Sequence, residues 1–170
     1  MNLTRRDWVL AVACWTELLQ AQTRKFAWFD PGSAAEVEAV AAQIIPDDET
    51  GGARGAGVIW FIDSALAGFD EDKRGLYERG LAETQAKRVE MFPGSSSIAS
   101  LTADRQIALL KAIEMTEFFQ QVRAHSVLGF FAHPVQGGSH DIAGWKLMGL
   151  EHSMSYQPPF GYYDAEAGKQ

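Results

Sequence analysis

Four histidines, one serine–histidine–aspartate tripeptide and one run of acids are the side chains whose chemistry could be catalytic or metal-binding. Ser139-His140-Asp141 holds the letters of a nucleophile, a base and an orienting acid. Such a triad is assembled in space from separate segments, and adjacent side chains point apart, so the tripeptide by itself reads as loop. His125, His133, His140 and His152 have no pair at helical i, i+4 spacing, and no Cys/His pairs stand at zinc spacing. His133 and His140 share one loop and, with Asp141, form the candidate metal set; the rival reading is solvated or core-capping imidazoles. Asp47-Asp48-Glu49 could hold a hard cation, but the alternating ligand positions of a calcium loop are missing. Acids before a helix also favour its positive end. The chain has no Gly-x-Gly-x-x-Gly after a strand, no Walker lysine loop, no Cys-x-x-Cys-His and no cysteine set for a cluster. Neither a catalytic constellation nor a cofactor site is expected in this chain.

The elements that would position these residues read as helices. Ser33-Ala-Ala-Glu36 has the form of a capping box after the turn signal Asp30-Pro31-Gly32, with Ser33 at the N-cap. Val37, Val40, Ala41, Ile44 and Ile45 follow at helical period until Pro46. The apolar run 58–63 could be a buried strand, but no second strand candidate exists for it to pair with, so a buried helix is preferred. A long amphipathic helix spans 70–92, with Leu76, Tyr77, Leu81, Thr84, Arg88 and Met91 along one face. Pro93-Gly94-Ser95-Ser96-Ser97 is a loop, Thr102 the next N-cap, and Ile107, Leu110 and Ile113 mark that helix's apolar face. Thr116 caps a further helix running to about Gly129, with Phe118, Val122, Ser126 and Phe130 in register. The expected fold is all-α: a single-domain helical bundle of about five to six helices with a long irregular, aromatic and glycine-rich C-terminal segment.

The stretch from Gly129 to Gly149 reads as too glycine-rich for a helix and too aromatic for a flexible linker. Pro134 stops the preceding helix, Gly137 and Gly138 permit close backbone approach, and Phe130, Phe131 and Trp145 carry large apolar surface. Two readings stand: a packed connector, or a preformed surface for another protein. The tail, with Tyr156, Phe160, Tyr162 and Tyr163 around two prolines, reads as an extended strap, either on its own domain or on a partner.

The totals bound the function. A chain of 170 residues, 46% hydrophobic and 22% charged, can build a core as one domain. A net charge of −7 without a basic run argues against nucleic acid. One cysteine, Cys14, makes no internal disulfide. Thr4-Arg5-Arg6-Asp7-Trp8-Val9-Leu10 looks like a twin-arginine export signal, with Arg5 and Arg6 as its pair. Its apolar segment is short, and Glu17 interrupts the continuation. Residues 1–22 therefore read as a leader, cleaved or retained, or as an N-terminal amphipathic helix. Ala11-Val12-Ala13-Cys14 also has the outline of a lipid-attachment box. Residues 23–170 are read as the helical small-subunit domain, and the leader implies a periplasmic location, free or at the periplasmic face of the inner membrane.

Three segments together resemble one family, gluconate 2-dehydrogenase subunit 3. They are Ile44-Ile-Pro-Asp-Asp-Glu-Thr-Gly-Gly-Ala-Arg-Gly-Ala-Gly-Val58 leading into Phe61-Ile-Asp63; Glu117-Phe-Phe119 through His125 to Gly129-Phe-Phe131; and Pro134-Val-Gln-Gly-Gly-Ser-His-Asp-Ile-Ala-Gly-Trp-Lys-Leu-Met-Gly149. The similarity runs in order from about Ser33 to Gly149, and the last segment is the specific one. Val135-Gln136 stands where the family tends to have an aromatic, Ser139 where asparagine is usual, and Gly52 and Gly55 where proline and an acid are common. These departures bear on partner contacts.

The resemblance implies a non-catalytic helical subunit that stabilises a large flavin-dependent dehydrogenase of the glucose–methanol–choline type and carries it across the membrane through its leader. That partner would oxidise a sugar, polyol or sugar acid, often alongside a membrane cytochrome c subunit. FAD, and haem c or an iron–sulfur cluster, would sit in the partners. The partner-interface residues on this reading are Phe130, Phe131, Pro134, Gly137, Gly138, Trp145, Lys146, Tyr156, Phe160, Tyr162 and Tyr163. The alternative is a stand-alone exported helical domain that binds an unrelated partner or carries a metal at His133, His140 and Asp141.

Overall fold

The computed structural model describes residues 25–49, 51–136, 138 and 142–150. Among them are six α-helices and no strand, as expected of an all-α chain. They are α1 (Pro31–Ile44), α2 (Val58–Ala67), α3 (Arg74–Met91), α4 (Ala103–Ile113), α5 (Glu117–Phe131) and α6 (Ala143–Leu147). Short 3-10 turns cover Glu71–Lys73 and Pro134–Gln136. No described helix is long and apolar enough to cross a membrane.

α1 starts earlier than the capping box suggests. Asp30, not Ser33, is the N-cap: its Oδ1 accepts the N–H groups of Gly32 and Ser33, and Pro31 supplies the preset φ of a first helical residue. The Ser33 hydroxyl donates to the same carboxylate, and that bond with the backbone N–H groups holds the Asp30 carboxyl below its ordinary range. The apolar run at 58–63 is helical, because α1 and α5 pack on it and bury Val58, Ile59, Phe61, Ile62, Ala65 and Leu66.

The helix expected over 70–92 opens with the 3-10 turn and becomes α-helical at Arg74. Tyr77, Leu81, Thr84 and Arg88 are buried on the anticipated face. On α4 Leu110 and Ile113 are buried as the spacing predicts, but Ile107 is exposed and the rest of the core face is Gln106 and Leu109. Gln106 is inside because its amide is satisfied there. Its Nε2 donates to the Ile98 carbonyl at 2.9 Å and its Oε1 accepts from Gln43 at 2.7 Å. Thr102 sits at the N-cap without a side-chain bond, while Thr116 accepts from the Phe119 N–H and caps α5.

α5 is the axis. α1, α2, α3 and α6 all pack against it. Phe118, Val122, Ser126 and Phe130 line its inner face, as the spacing predicts. Gly80 is required where α3 crosses it, since a Cβ there would lie 2.2 Å from Phe118 Cγ.

Candidate partner-binding site

The C-terminal end of α5, the turn after it and α6 form the segment that the sequence marks as a contact surface. It is less irregular than its glycine content suggests: α5 continues to Phe131, and α6 is helical from Ala143. Ala132 then turns extended and Pro134 opens a 3-10 turn, which ends the helix where proline predicts. Gly138 tucks under that end, where a Cβ would meet the Ala132 carbonyl oxygen at 2.2 Å. Ile142 takes a left-handed φ of 48° to start α6.

α6 docks on α5 through Gly144, whose Cβ would fall 2.5 Å from Phe131 Cδ1 and 2.8 Å from the Phe130 carbonyl oxygen. The Trp145 indole N–H donates to the Phe131 carbonyl at 2.7 Å, using an acceptor that the helix end leaves open. The His133 ring lies 5.7 Å from Trp145, and its Nδ1 accepts the Val135 N–H at 3.2 Å. The Leu150 N–H returns to the Trp145 carbonyl at 2.8 Å.

This packing sorts the expected interface residues. Phe130 does not belong to a surface: it is 2% exposed and part of the bundle core, because its position three helical steps of four from Phe118 places it inside. Phe131 and Trp145 are half-buried, Gly138 is buried, and Pro134 and Lys146 are exposed. Around them Leu128, Val135, Leu147, Met148 and Leu150 are each at least half exposed. The end of α5 and α6 thus present aliphatic side chains on a backbone held by the indole bond and two glycine contacts. Gly137, Tyr156, Phe160, Tyr162 and Tyr163 lie outside the described residues, as do Arg5, Arg6 and Cys14 of the leader and Ser139, His140, Asp141 and His152.

A second polar constellation has no local signature in the sequence. His125 is fully buried, with its Nδ1 2.9 Å from the Tyr77 hydroxyl and its Nε2 2.9 Å from Asp70 Oδ2. Burial, and secondarily the negative charge of Asp70, push the Tyr77 hydroxyl far above the ordinary phenol range, so it keeps its proton and donates. His125 Nδ1 accepts that proton, while Nε2 faces Asp70 Oδ2. The Gln121 amide also lies 2.9 Å from Nε2. Tyr77 on α3, His125 on α5 and Asp70 in the turn before α3 are thereby tied together. A buried tyrosine and imidazole bonded to each other brace a core and reach no ligand directly. Asp63, inside α2 and 3% exposed, accepts three N–H groups from residues 27–29. The signal for it was a lone carboxylate within an apolar helix, which must be compensated internally.

No group of three or more His, Cys, Asp or Glu side chains among the described residues is placed to hold a metal ion. His125 has both ring nitrogens engaged inside the bundle, and His133 engages Val135 and Trp145.

The profile of the family described as gluconate 2-dehydrogenase subunit 3 matches residues 31–151. The chain belongs to the gluconate 2-dehydrogenase subunit 3 family. The matched span begins on the first residue of α1 and takes in every described helix. No curated protein and no solved structure shows significant similarity to the chain. Membership makes this a chain of an accessory subunit class belonging to a dehydrogenase complex. Within the family's span, Phe69, Val89, Ile107 and Met115 are exposed singly on other elements, whereas the α5–α6 end carries Val127, Leu128, Val135, Leu147, Met148 and Leu150.

Proposed function

We propose that this chain is the non-catalytic small subunit of a flavin-dependent dehydrogenase of the glucose–methanol–choline type. It binds and stabilises the large subunit, which oxidises a sugar, polyol or sugar acid. Through residues 1–22 it carries that subunit to the periplasmic side, where a membrane cytochrome c subunit completes the complex. FAD, and haem c or an iron–sulfur cluster, belong to those partners.

The observation that carries the reading is the pairing of the family match with the exposed aliphatic set of the α5–α6 end. Covering Leu128, Leu147, Met148 and Leu150 would contribute about 1 kcal/mol each from the half of each side chain still in water. Trp145 and Phe131, already oriented, lose little conformational freedom on docking.

Co-expression with a large flavoprotein dehydrogenase of that type tests the reading. A stable complex whose large subunit alone holds FAD and oxidises the sugar is the expected result. Sugar oxidation by this chain in isolation, or failure to bind the flavoprotein, overturns it.

A further inference from the structure

We propose that Asp63 is a fold-dependent clamp on the chain entering the bundle, and that it sets the limit for proteolytic removal of the N-terminal residues: any such cut falls before Phe26. Asp63 lies in α2, buried at 3% exposure. Its Oδ2 accepts the Ala27 N–H at 2.7 Å, and its Oδ1 accepts those of Trp28 at 3.0 Å and Phe29 at 2.9 Å. Three successive N–H groups converging on one anion form a nest of the kind that binds phosphate. Here the anion is a side chain that comes into place only when α2 has packed into the bundle. Charge-assisted bonds from peptide donors are among the stronger ones, and the buried carboxylate needs them.

Rings hold the same segment. Phe26 stacks on Trp60 with centroids 4.2 Å apart and planes 17° from parallel. Trp28 and Phe29 meet Tyr77 edge-on at 6.3 and 6.0 Å. Asp30 then caps α1. The braced chain thus begins at Phe26, ahead of the family match at residue 31, whereas Lys25 is exposed. A protease needs backbone that can leave the fold and extend, and residues 27–29 have their N–H groups committed to a buried charge. The boundary holds whether or not residues 1–22 act as an export leader, so it stands or falls separately from that reading.

The test is amide hydrogen exchange and limited chymotrypsin digestion of the full chain, its Asp63→Asn variant and an Asp104→Asn surface control. In the unmodified chain and the control, the amides of residues 27–29 exchange at least about 100-fold slower than in free peptide, and no cut follows Phe26, Trp28 or Phe29. Asp63→Asn keeps its helical circular dichroism, exchanges those amides at least about tenfold faster, and is cut there. Unprotected amides in the unmodified chain, or a folded Asp63→Asn chain with unchanged protection, overturn the proposal. Should the variant not fold, protection of the three amides in the unmodified chain supports the clamp and its absence overturns it.

Discussion

α5 carries two sets of side chains that are handled in opposite ways. Toward its N-terminus, Phe118, Val122 and His125 are enclosed, and the one polar ring among them has both nitrogens bonded to Tyr77 and Asp70. Toward its C-terminus Ser126 and Phe130 stay in the core, but Val127 and Leu128 on the outer face are exposed, and α6 adds Leu147 and Met148 to the same condition. Polar groups inside with partners are what a bundle needs to fold uniquely. Apolar groups outside, on a backbone pinned by an indole hydrogen bond, add nothing to folding of the lone chain. The contrast separates residues kept for stability from residues available for assembly.

Breaking the enclosed end should cost the most. His125→Ala leaves a cavity and strands the Tyr77 hydroxyl, so denaturant unfolding should show a loss of about 3–5 kcal/mol. A loss under about 1 kcal/mol would mean that the polar bridge does not brace the bundle. Gly144→Ala strikes the junction of the two regions. Its methyl group would meet Phe131 at 2.5 Å and lift α6 from α5, costing about 1–3 kcal/mol locally. The amides of α6 should then exchange faster while those of α3 do not change.

Ser126 sharpens the comparison from inside. Its hydroxyl is fully buried and is the described buried side-chain polar atom without a hydrogen-bond partner. Ser126→Ala should therefore raise stability by about 0.5–1 kcal/mol, the reverse of the usual core substitution. The smallest effect is at the first helix cap. Because hydrogen bonds from Ser33 and Gly32 lower the Asp30 pKa on folding, its contribution is complete above the ordinary value of 3.8. It is lost as pH falls through the lower folded value. Asp30→Asn should remove that part of the acid dependence, read as a flatter stability curve below pH 3.8.

The helices and the inner face of α5 were legible because helical spacing records burial directly. Phe130 shows the limit of reading by composition: its aromatic neighbours suggested a surface, while its register with Phe118, Val122 and Ser126 already placed it in the core. Ile107 and Gln106 exchange roles on α4 because an amide with two internal partners can be buried where an aliphatic side chain is not. The start of α1 moved to Asp30 because an aspartate before proline caps as well as a serine does. The links from Asp63 to residues 27–29 and from His125 to Asp70 join segments more than thirty residues apart, and no local pattern announces them.

The central claim is that the exposed α5–α6 end grips a larger protein and the enclosed end does not. Titrating the proposed large flavoprotein subunit with the full chain and with its Leu147→Glu/Met148→Glu variant measures this directly. The variant should unfold as the full chain does and bind at least about 100-fold more weakly. Equal affinity of the two chains would contradict it.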